Sequence, residues 1–223
     1  MNGASAPTQR MNHIDKWSTI HSTVRNEHIA ILALQETHLD DDRLNDINRC
    51  FGRNFEITNT GMPGNPRTTA GVAIILNKAM IAPTSVKTYV LKQGRALAMR
   101  IKWADAGDLT ILNIYAPNER RQHPTFWAEL EEERIDQRMP KPDLILGDFN
   151  VTEDGIDRSP PQENERAATD ALRNIRLSWG VQDQWRHDNP SERLFTHKHL
   201  NNGKHEYARL NRIYSKRTRQ QAF

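Results

Sequence analysis

Three short segments of the chain pair residue types that can act on a charged group. In Gln35-Glu36-Thr37 a carboxylate follows directly on the apolar run Ile29-Ala-Ile-Leu-Ala-Leu34. A carboxylate at the end of a buried run is costly to desolvate unless something positive meets it, and a divalent cation that prefers oxygen ligands would serve. An exposed strand-end acid is the plainer alternative. In Gly147-Asp148-Phe149-Asn150 an acid and an amide stand two residues apart, so in an extended segment both project to one side, an arrangement suited to orienting a water molecule. A tight turn or an Asx cap fits the same four residues. In Tyr115-Ala116-Pro117-Asn118 a proline stiffens the turn between a phenol and an amide, and both can donate hydrogen bonds to a phosphate. Here a strand-terminating turn with a half-buried tyrosine is the simpler reading.

Each segment closes a strand-like run, and the elements around it are legible from periodicity. Asp15 to Asn26 is spaced like an amphipathic helix, with Trp17, Ile20 and Val24 on one stripe. Asp40 to Arg49 reads as a polar helix, followed by Phe55-Glu-Ile-Thr58 and the loop Gly61-Met-Pro-Gly-Asn-Pro-Arg67. Gly71 to Leu76, Val86 to Leu91, Ala96 to Trp103 and Leu109 to Tyr115 form an antiparallel meander. A helix from about Pro124 to Arg138 precedes the apolar run Asp143-Leu-Ile-Leu146; a helix from about Asn164 to Leu177 and two strands, near Leu194 and from Arg209 to Tyr214, follow. Meanders mixed with helices predict an α/β protein with largely antiparallel sheets, and ligands collect at the ends of such strands.

The 223 residues carry 36% hydrophobic and 26% charged side chains, enough apolar content for a real core, and nothing repeats, so one domain over 1–223 is the economical expectation. A formal charge of +3 does not diagnose nucleic-acid binding by itself. Basic residues do gather at Arg209, Arg212, Lys216, Arg217 and Arg219, with Tyr207 and Tyr214 interleaved, as phosphate contacts and base stacking would require; a solvated tail is the alternative. The single cysteine, Cys50, excludes an intrachain disulfide framework or thiolate metal cluster. No apolar run is long enough to span a bilayer, so a membrane partner is not expected, and the reading is an intracellular protein, nuclear or cytoplasmic.

Taken together, Gln35-Glu36-Thr37, Asn113-Ile-Tyr115-Ala-Pro-Asn118 and Gly147-Asp148-Phe-Asn150 resemble, in order and rough spacing, the endonuclease/exonuclease/phosphatase superfamily, which includes abasic-site endonucleases and pancreatic deoxyribonuclease. Leu34-Gln-Glu-Thr-His38, Gly71-Val-Ala-Ile-Ile75, Asp183-Gln-Trp-Arg186, Phe195-Thr196 and Arg209-Leu-Asn-Arg-Ile-Tyr214 make the chain most similar to endonuclease domains of non-LTR retrotransposons. The resemblance implies a four-layer α/β sandwich, two central sheets face to face with helices outside and the active site at one rim. It gives Glu36 the role of principal Mg²⁺ ligand, with Mn²⁺ able to substitute. Asp148 would position or deprotonate the attacking water, Asn150 would orient the phosphate or that water, and Tyr115 and Asn118 would contact the scissile phosphate.

The resemblance also locates departures. Asn2, before Gly3, matches the second of two amides that close the family's first strand and assist the metal; the first amide and that strand would fall before Met1. Asn211 stands where the family has an acid that pairs with a histidine in a closing Ser-Asp-His segment, which would fall beyond Phe223. His197 and His199, flanking Lys198 in a basic loop, are weak substitutes. The expectation is therefore a domain truncated at both termini: a Mg²⁺-dependent endonuclease that nicks double-stranded DNA to leave a 3′-hydroxyl, weakened by its missing pieces and monomeric. Arg209, Asn211 and Asn118 are its expected phosphate and DNA contacts. The alternatives are a non-catalytic remnant that binds DNA, a phosphoesterase acting on a small phosphoester, and a chain that fails to fold stably.

Overall fold

The computed structural model describes residues 7–81, 85–103, 107–161 and 166–216. Strands β1 (Ile31–Gln35), β2 (Phe55–Thr60) and β3 (Val72–Asn77) form an antiparallel sheet in the order β1-β3-β2. β3 is buried along its whole length, as its uninterrupted Val-Ala-Ile-Ile-Leu run dictates. A larger sheet orders β4 (Val86–Lys92), β5 (Ala96–Lys102), β6 (Asp108–Tyr115), β7 (Leu144–Asp148), β12 (Asn211–Lys216) and β9 (Val181–Asp183) as β4-β5-β6-β7-β12-β9. Only β6 and β7 run parallel, a pairing that requires a crossover, and helix α3 (His123–Asp136) lies in that connection.

The period of two along each strand sorts side chains into layers. Ile74 of β3 and Leu97, Met99, Leu109 and Ile111 of β5 and β6 pack between the two sheets. The opposite face of the smaller sheet, with Phe55, Ile57 and Ile75, packs on Trp17 and Val24 of α1 (Pro7–Asn26) and Ile47 of α2 (Asp41–Phe51). The opposite face of the larger sheet, with Ala98, Leu112, Ile114 and Ile145, packs on Phe126, Trp127 and Leu130 of α3 and on Leu172, Ile175 and Trp179 of α4 (Arg166–Trp179). Helix, sheet, sheet, helix is the expected four-layer α/β sandwich.

Three local expectations are corrected. The strand from Gly71 does not join the expected meander: β3 pairs with β1 and β2 in the smaller sheet, and only β4, β5 and β6 run on as an antiparallel meander. Helix α1 begins at Pro7 instead of Asp15, with proline in a first turn where its missing N–H costs nothing. No strand forms at Leu194; the segment taken for a basic loop is instead a hairpin, β10 (His197–Asn201) and β11 (Lys204–Ala208), extended by the two-residue β8 (Arg158–Ser159). β10 is exposed on both faces, so it carries no alternation for sequence reading to detect. The signal it does carry is Asn202-Gly203, whose φ angles of 47° and 76° suit the mirror-image turn that a right-twisted hairpin favours.

One polar residue sits in the inter-sheet face beside Leu109, Ile111 and Tyr115. Asn113 is fully buried, and its amide donates to the carbonyls of Leu34 in β1 and Ala73 in β3, each at 2.9 Å, while its oxygen accepts from Gln35 Nε2 at 2.7 Å. Asn113→Leu keeps the volume but deprives two carbonyls of these donors, and an unsatisfied buried polar group costs roughly 1–3 kcal/mol. Urea unfolding is expected to show a loss of about 2–3 kcal/mol; a variant as stable as the wild type would remove Asn113 as a tie between the sheets.

Candidate active site

Three strand ends meet at one rim. β6 and β7 are parallel and in register, so Tyr115 and Asp148 emerge side by side from the larger sheet, while β1 delivers Glu36 from the smaller one. Glu36 leaves its strand in the left-handed region, φ 52°, which swings the next residues off the sheet edge toward Gly71. There Thr37 N–H donates to Gly71 O at 3.1 Å, and Thr37 Oγ1 donates to Asn59 Oδ1 at 2.9 Å. With the sheets tied by Asn113 one pleat below, Tyr115 Oη reaches across and donates to Glu36 Oε1 at 2.5 Å.

Asp148 is placed by its neighbours in sequence. Gly147 has φ 142°, and a Cβ there would lie 1.9 Å from Ile114 O, so glycine is what lets β7 close on β6 at the site. Phe149 is buried, stacked on Trp127 with ring centroids 6.1 Å apart and edge-on to Tyr214 at 4.9 Å. Asn150, at φ 49°, donates its backbone N–H back to Asp148 Oδ1 at 2.9 Å, an Asx turn that fixes the carboxylate. Its side-chain amide donates to Ala116 O at 2.8 Å and to Asn118 Oδ1 at 3.0 Å. The Tyr115-to-Asn118 turn is held from below by buried His123, whose Nε2–H donates to Pro117 O at 2.9 Å. With its oxygen engaged, exposed Asn118 has its NH₂ end to offer an anion.

The electrostatics follow from burial. Burial pushes the Asp148 carboxyl above the usual carboxylate range and the facing Glu36 carboxylate adds to this, while the Asn150 N–H, His197 and Arg212 oppose it. Burial and the hydrogen bond to Glu36 push the Tyr115 phenol up to about 12, so it stays a donor throughout the physiological range. Arg95, its guanidinium 5.0 Å from the Tyr115 ring centroid, donates to the carbonyls of Tyr115 and Ala116. Two carboxylates at one rim, one exposed and the other raised mainly by its burial, are chemically suited to a hard divalent cation between them. Among the described residues no three His, Cys, Asp or Glu side chains gather closely enough to cage a metal alone.

Glu36, Tyr115, Asn118, Asp148 and Asn150 are thus brought together. Asn211 joins them: β12 pairs it directly with Asp148, and it is exposed. Arg209 does not. It is 3% exposed and donates to Asp157 at 2.8 and 3.0 Å and to Asp183 at 2.6 Å, so its charge is committed to the fold rather than to solvent. The expected basic cluster dissolves the same way: Arg212 and Tyr214 are buried, Lys216 pairs with Asp143, and Arg217 and Arg219 lie outside the described residues, as does Asn2. Sequence reading gave no role to Asn113 or Gly147. Asn113 carried a signal, a polar residue at an inward position of an apolar strand.

The fold is a four-layer α/β sandwich with its polar groups gathered at one rim. The chain belongs to the endonuclease/exonuclease/phosphatase family, whose model matches residues 12–215. It is 28% identical over 149 residues to the Transposon TX1 uncharacterized 149 kDa protein of Xenopus laevis, covering 66% of this chain and 11% of that protein, so it spans about a tenth of that relative's length. Among solved structures it is similar to the endonuclease domain of TRAS1, a telomere-specific non-LTR retrotransposon, with TM-score 0.64 and 13% identity over 92% of this chain and 80% of that one. It is also similar to the AP endonuclease LMAP of Leishmania major, with TM-score 0.69 and 14% identity over 93% and 76%. A third likeness is D. rerio TDP2 complexed with single strand DNA product, with TM-score 0.60 and 15% identity over 93% and 79%.

The raised Asp148 predicts a stability signature. A carboxyl whose folded pKa lies above its unfolded value favours folding while protonated, and that contribution is lost as pH rises through the folded value. Asp148→Asn, neutral at all pH, is therefore expected to raise Tm at pH 7 in chelator. The gain should vanish as pH falls below the ordinary carboxylate pKa of about 4, where the wild type is protonated in both states. Thermal melts across that range check it; a variant less stable at pH 7 would show that the carboxylate is not held at a cost.

Proposed function

We propose that the chain is a Mg²⁺-dependent endonuclease domain of retroelement origin that hydrolyses DNA phosphodiester bonds. The observation that carries this is the meeting of Glu36, Tyr115 and Asp148 at one rim, with Asn118 and Asn150 bridged beside them. The likenesses to a retrotransposon endonuclease domain, an AP endonuclease and a transposon protein support DNA as the substrate. The exposure of Glu36, Asn118 and Asn211 leaves the rim open to a polymer.

Glu36 would hold Mg²⁺ with the Asp148 side of the rim, and the ion would supply positive charge to the phosphate oxygens and leaving group. Asn118 orients the scissile phosphate by donating to its oxygens, and Tyr115 would join it by turning its single O–H from Glu36 to a phosphate oxygen. Asp148, fixed by the Asn150 N–H and drawn by burial toward neutral pH, takes the proton of the attacking water. The water oxygen bonds to phosphorus and the P–O3′ bond breaks. The 3′ oxygen takes a proton from solvent, leaving a 3′-hydroxyl and a 5′-phosphate.

Supercoiled plasmid incubated with the chain and Mg²⁺ is expected to be nicked, and chelator should stop the reaction. Asp148→Ala removes the positioned base and should slow nicking about 10²- to 10⁴-fold. Tyr115→Phe removes one donor and should cost about 10²-fold. Duplex binding with no nicking above the Asp148→Ala level would make the chain a non-catalytic DNA binder. Turnover of a small phosphoester with intact plasmid would move the substrate class.

A further inference from the structure

Beside the rim lies a cleft of about 180 Å³ lined by Asn118, Asn150, Arg120, Arg158, His197 and His199, among others. Two of these are the site's own amides, so the cleft opens directly from the place where a phosphate would sit. The others are cations or imidazoles from three separate elements: Arg120 from a short 3₁₀ turn before α3, Arg158 from β8, and the histidines from β10.

The hairpin is seated on the catalytic strand by backbone hydrogen bonds together with the Thr196 hydroxyl. Asn211 pairs with Asp148 across β12 and β7, and Phe149 N–H donates to Leu210 O at 3.0 Å. Leu210 and Asn211 in turn donate their backbone N–H groups to Thr196 Oγ1 at 2.9 and 3.0 Å, while Thr196 N–H donates to Ala208 O at 3.0 Å. Thr196 is therefore clamped against the strand that faces Asp148, and the next residue, His197, enters the cleft beside it. His197 is exposed, its ring stacks on His199 at 6.4 Å between centroids, and it is one of the groups that draw the Asp148 carboxyl down.

We propose that His197 is a further catalytic residue, whose imidazole donates a hydrogen bond to a non-bridging oxygen of the phosphate held by Asn118 and Asn150. The assignment rests on the phosphodiesterase reading above. The charged and titratable groups around the ring fit an anion there. Asp148 faces it from β7, Arg120 and Arg158 line the same cleft, Glu206 and Tyr207 line it from β11, and His199 stacks on it along β10. Lys198, between the two histidines, lies over the Tyr207 ring at 5.8 Å. The cleft lining sets two arginines and two imidazoles against the one carboxylate of Glu206, with Asp148 facing its edge, and these donors adjoin the amides that would orient the phosphate. Charge developing on a phosphate oxygen is stabilised by donors already in place, and removal of one such donor costs about 10²- to 10³-fold.

Plasmid nicking with Mg²⁺ is compared for the wild type, His197→Ala, His197→Gln and His187→Ala, a control on the remote helix α5 (Gln184–Asp188). His197→Ala is expected to lose about 10²-fold in kcat with KM changed less than about threefold, the split expected of an interaction made in the transition state. His197→Gln should recover part of the loss through its NH₂ donor, and His187→Ala should match the wild type. Nicking by His197→Ala within about threefold of the wild type, or an equal loss in His197→Gln and a misfolded His197→Ala, overturns the assignment. A wild type that leaves plasmid intact overturns the nuclease reading alone, and a second measurement then decides His197. Inorganic phosphate titrated into the wild type should move the His197 ring resonances together with the Asn118 and Asn150 amides in NMR spectra. Movement of the amides with His197 unmoved, or no movement of any of the three, overturns it.

Discussion

The site exists because two sheets packed largely through apolar side chains are held in one register near the rim by a buried amide. Hydrophobic packing between Ile74 and Leu97, Met99 or Ile111 is non-directional and would tolerate small slides of one sheet over the other. Asn113 removes that freedom, since all of its observed bonds, to Leu34 O, Ala73 O and Gln35 Nε2, lie within two residues of Glu36 or on the strand beside it. Two residues further along β6 comes Tyr115, so the distance between its phenol and Glu36 is set by this amide. A hydrogen bond of 2.5 Å between groups on different sheets is sensitive to shifts far smaller than a hydrophobic face can register.

A second polar cluster fixes the other wall. Burial pushes the Asp157 carboxyl up, but the guanidiniums of Arg209 and Arg186 outweigh it and hold the group below the usual carboxylate range. Arg209 also binds Asp183, and both arginines lie about 5 Å from the Trp185 ring, at 5.0 and 4.9 Å. Two arginines and two aspartates compensate one another, which a buried ionic group needs if it is not to weigh against the fold. The cluster joins the turn at Gly155–Asp157, the end of β9 and the start of α5 to the residue that leads into β12. It thereby sets Leu210 and Asn211 against Phe149 and Asp148, and the hairpin follows through Thr196.

These two clusters also mark where sequence reading reaches and where it stops. The apolar runs ending at Glu36, Tyr115 and Asp148 were legible because burial on both faces demands uninterrupted branched residues, and the side chains after them stand out as polar. The helical and strand periods marked out the elements, while the order of the layers was implied only by the family resemblance. What sequence could not supply was the partner of each charge. Arg209 reads as a phosphate contact in a basic stretch until Asp157 and Asp183, 52 and 26 residues earlier, are found against it. His197 reads as a loop residue because its hairpin is polar on both faces, and only the Thr196 clamp, a long-range hydrogen bond, brings it to Asp148.

The placement of Asp148 shows why such a rim is built at strand ends and not within the sheets. A carboxylate one pleat deeper in β7, at the place of Leu146, would face the apolar cluster between the sheets, with Ile74, Leu97 and Ile111, where its ionised form could not be matched. Placed fully outside, it would titrate as an ordinary surface acid, too weak a base for a water proton at neutral pH. At the mouth of the crevice it is partly buried, which raises its affinity for a proton, and the Asx turn from Asn150 keeps it anionic and oriented. Leaving the sheet at that depth needs a backbone that turns at once, and the left-handed φ values of Glu36 and Asn150, each the residue at or just past the end of its strand, provide the turn. Non-glycine residues in that region carry strain that the surrounding hydrogen bonds must hold. Here those bonds run from Thr37 to Gly71 and from Asn150 to Ala116 and Asn118, so the same contacts that secure the turns also array the donors around the place of the phosphate.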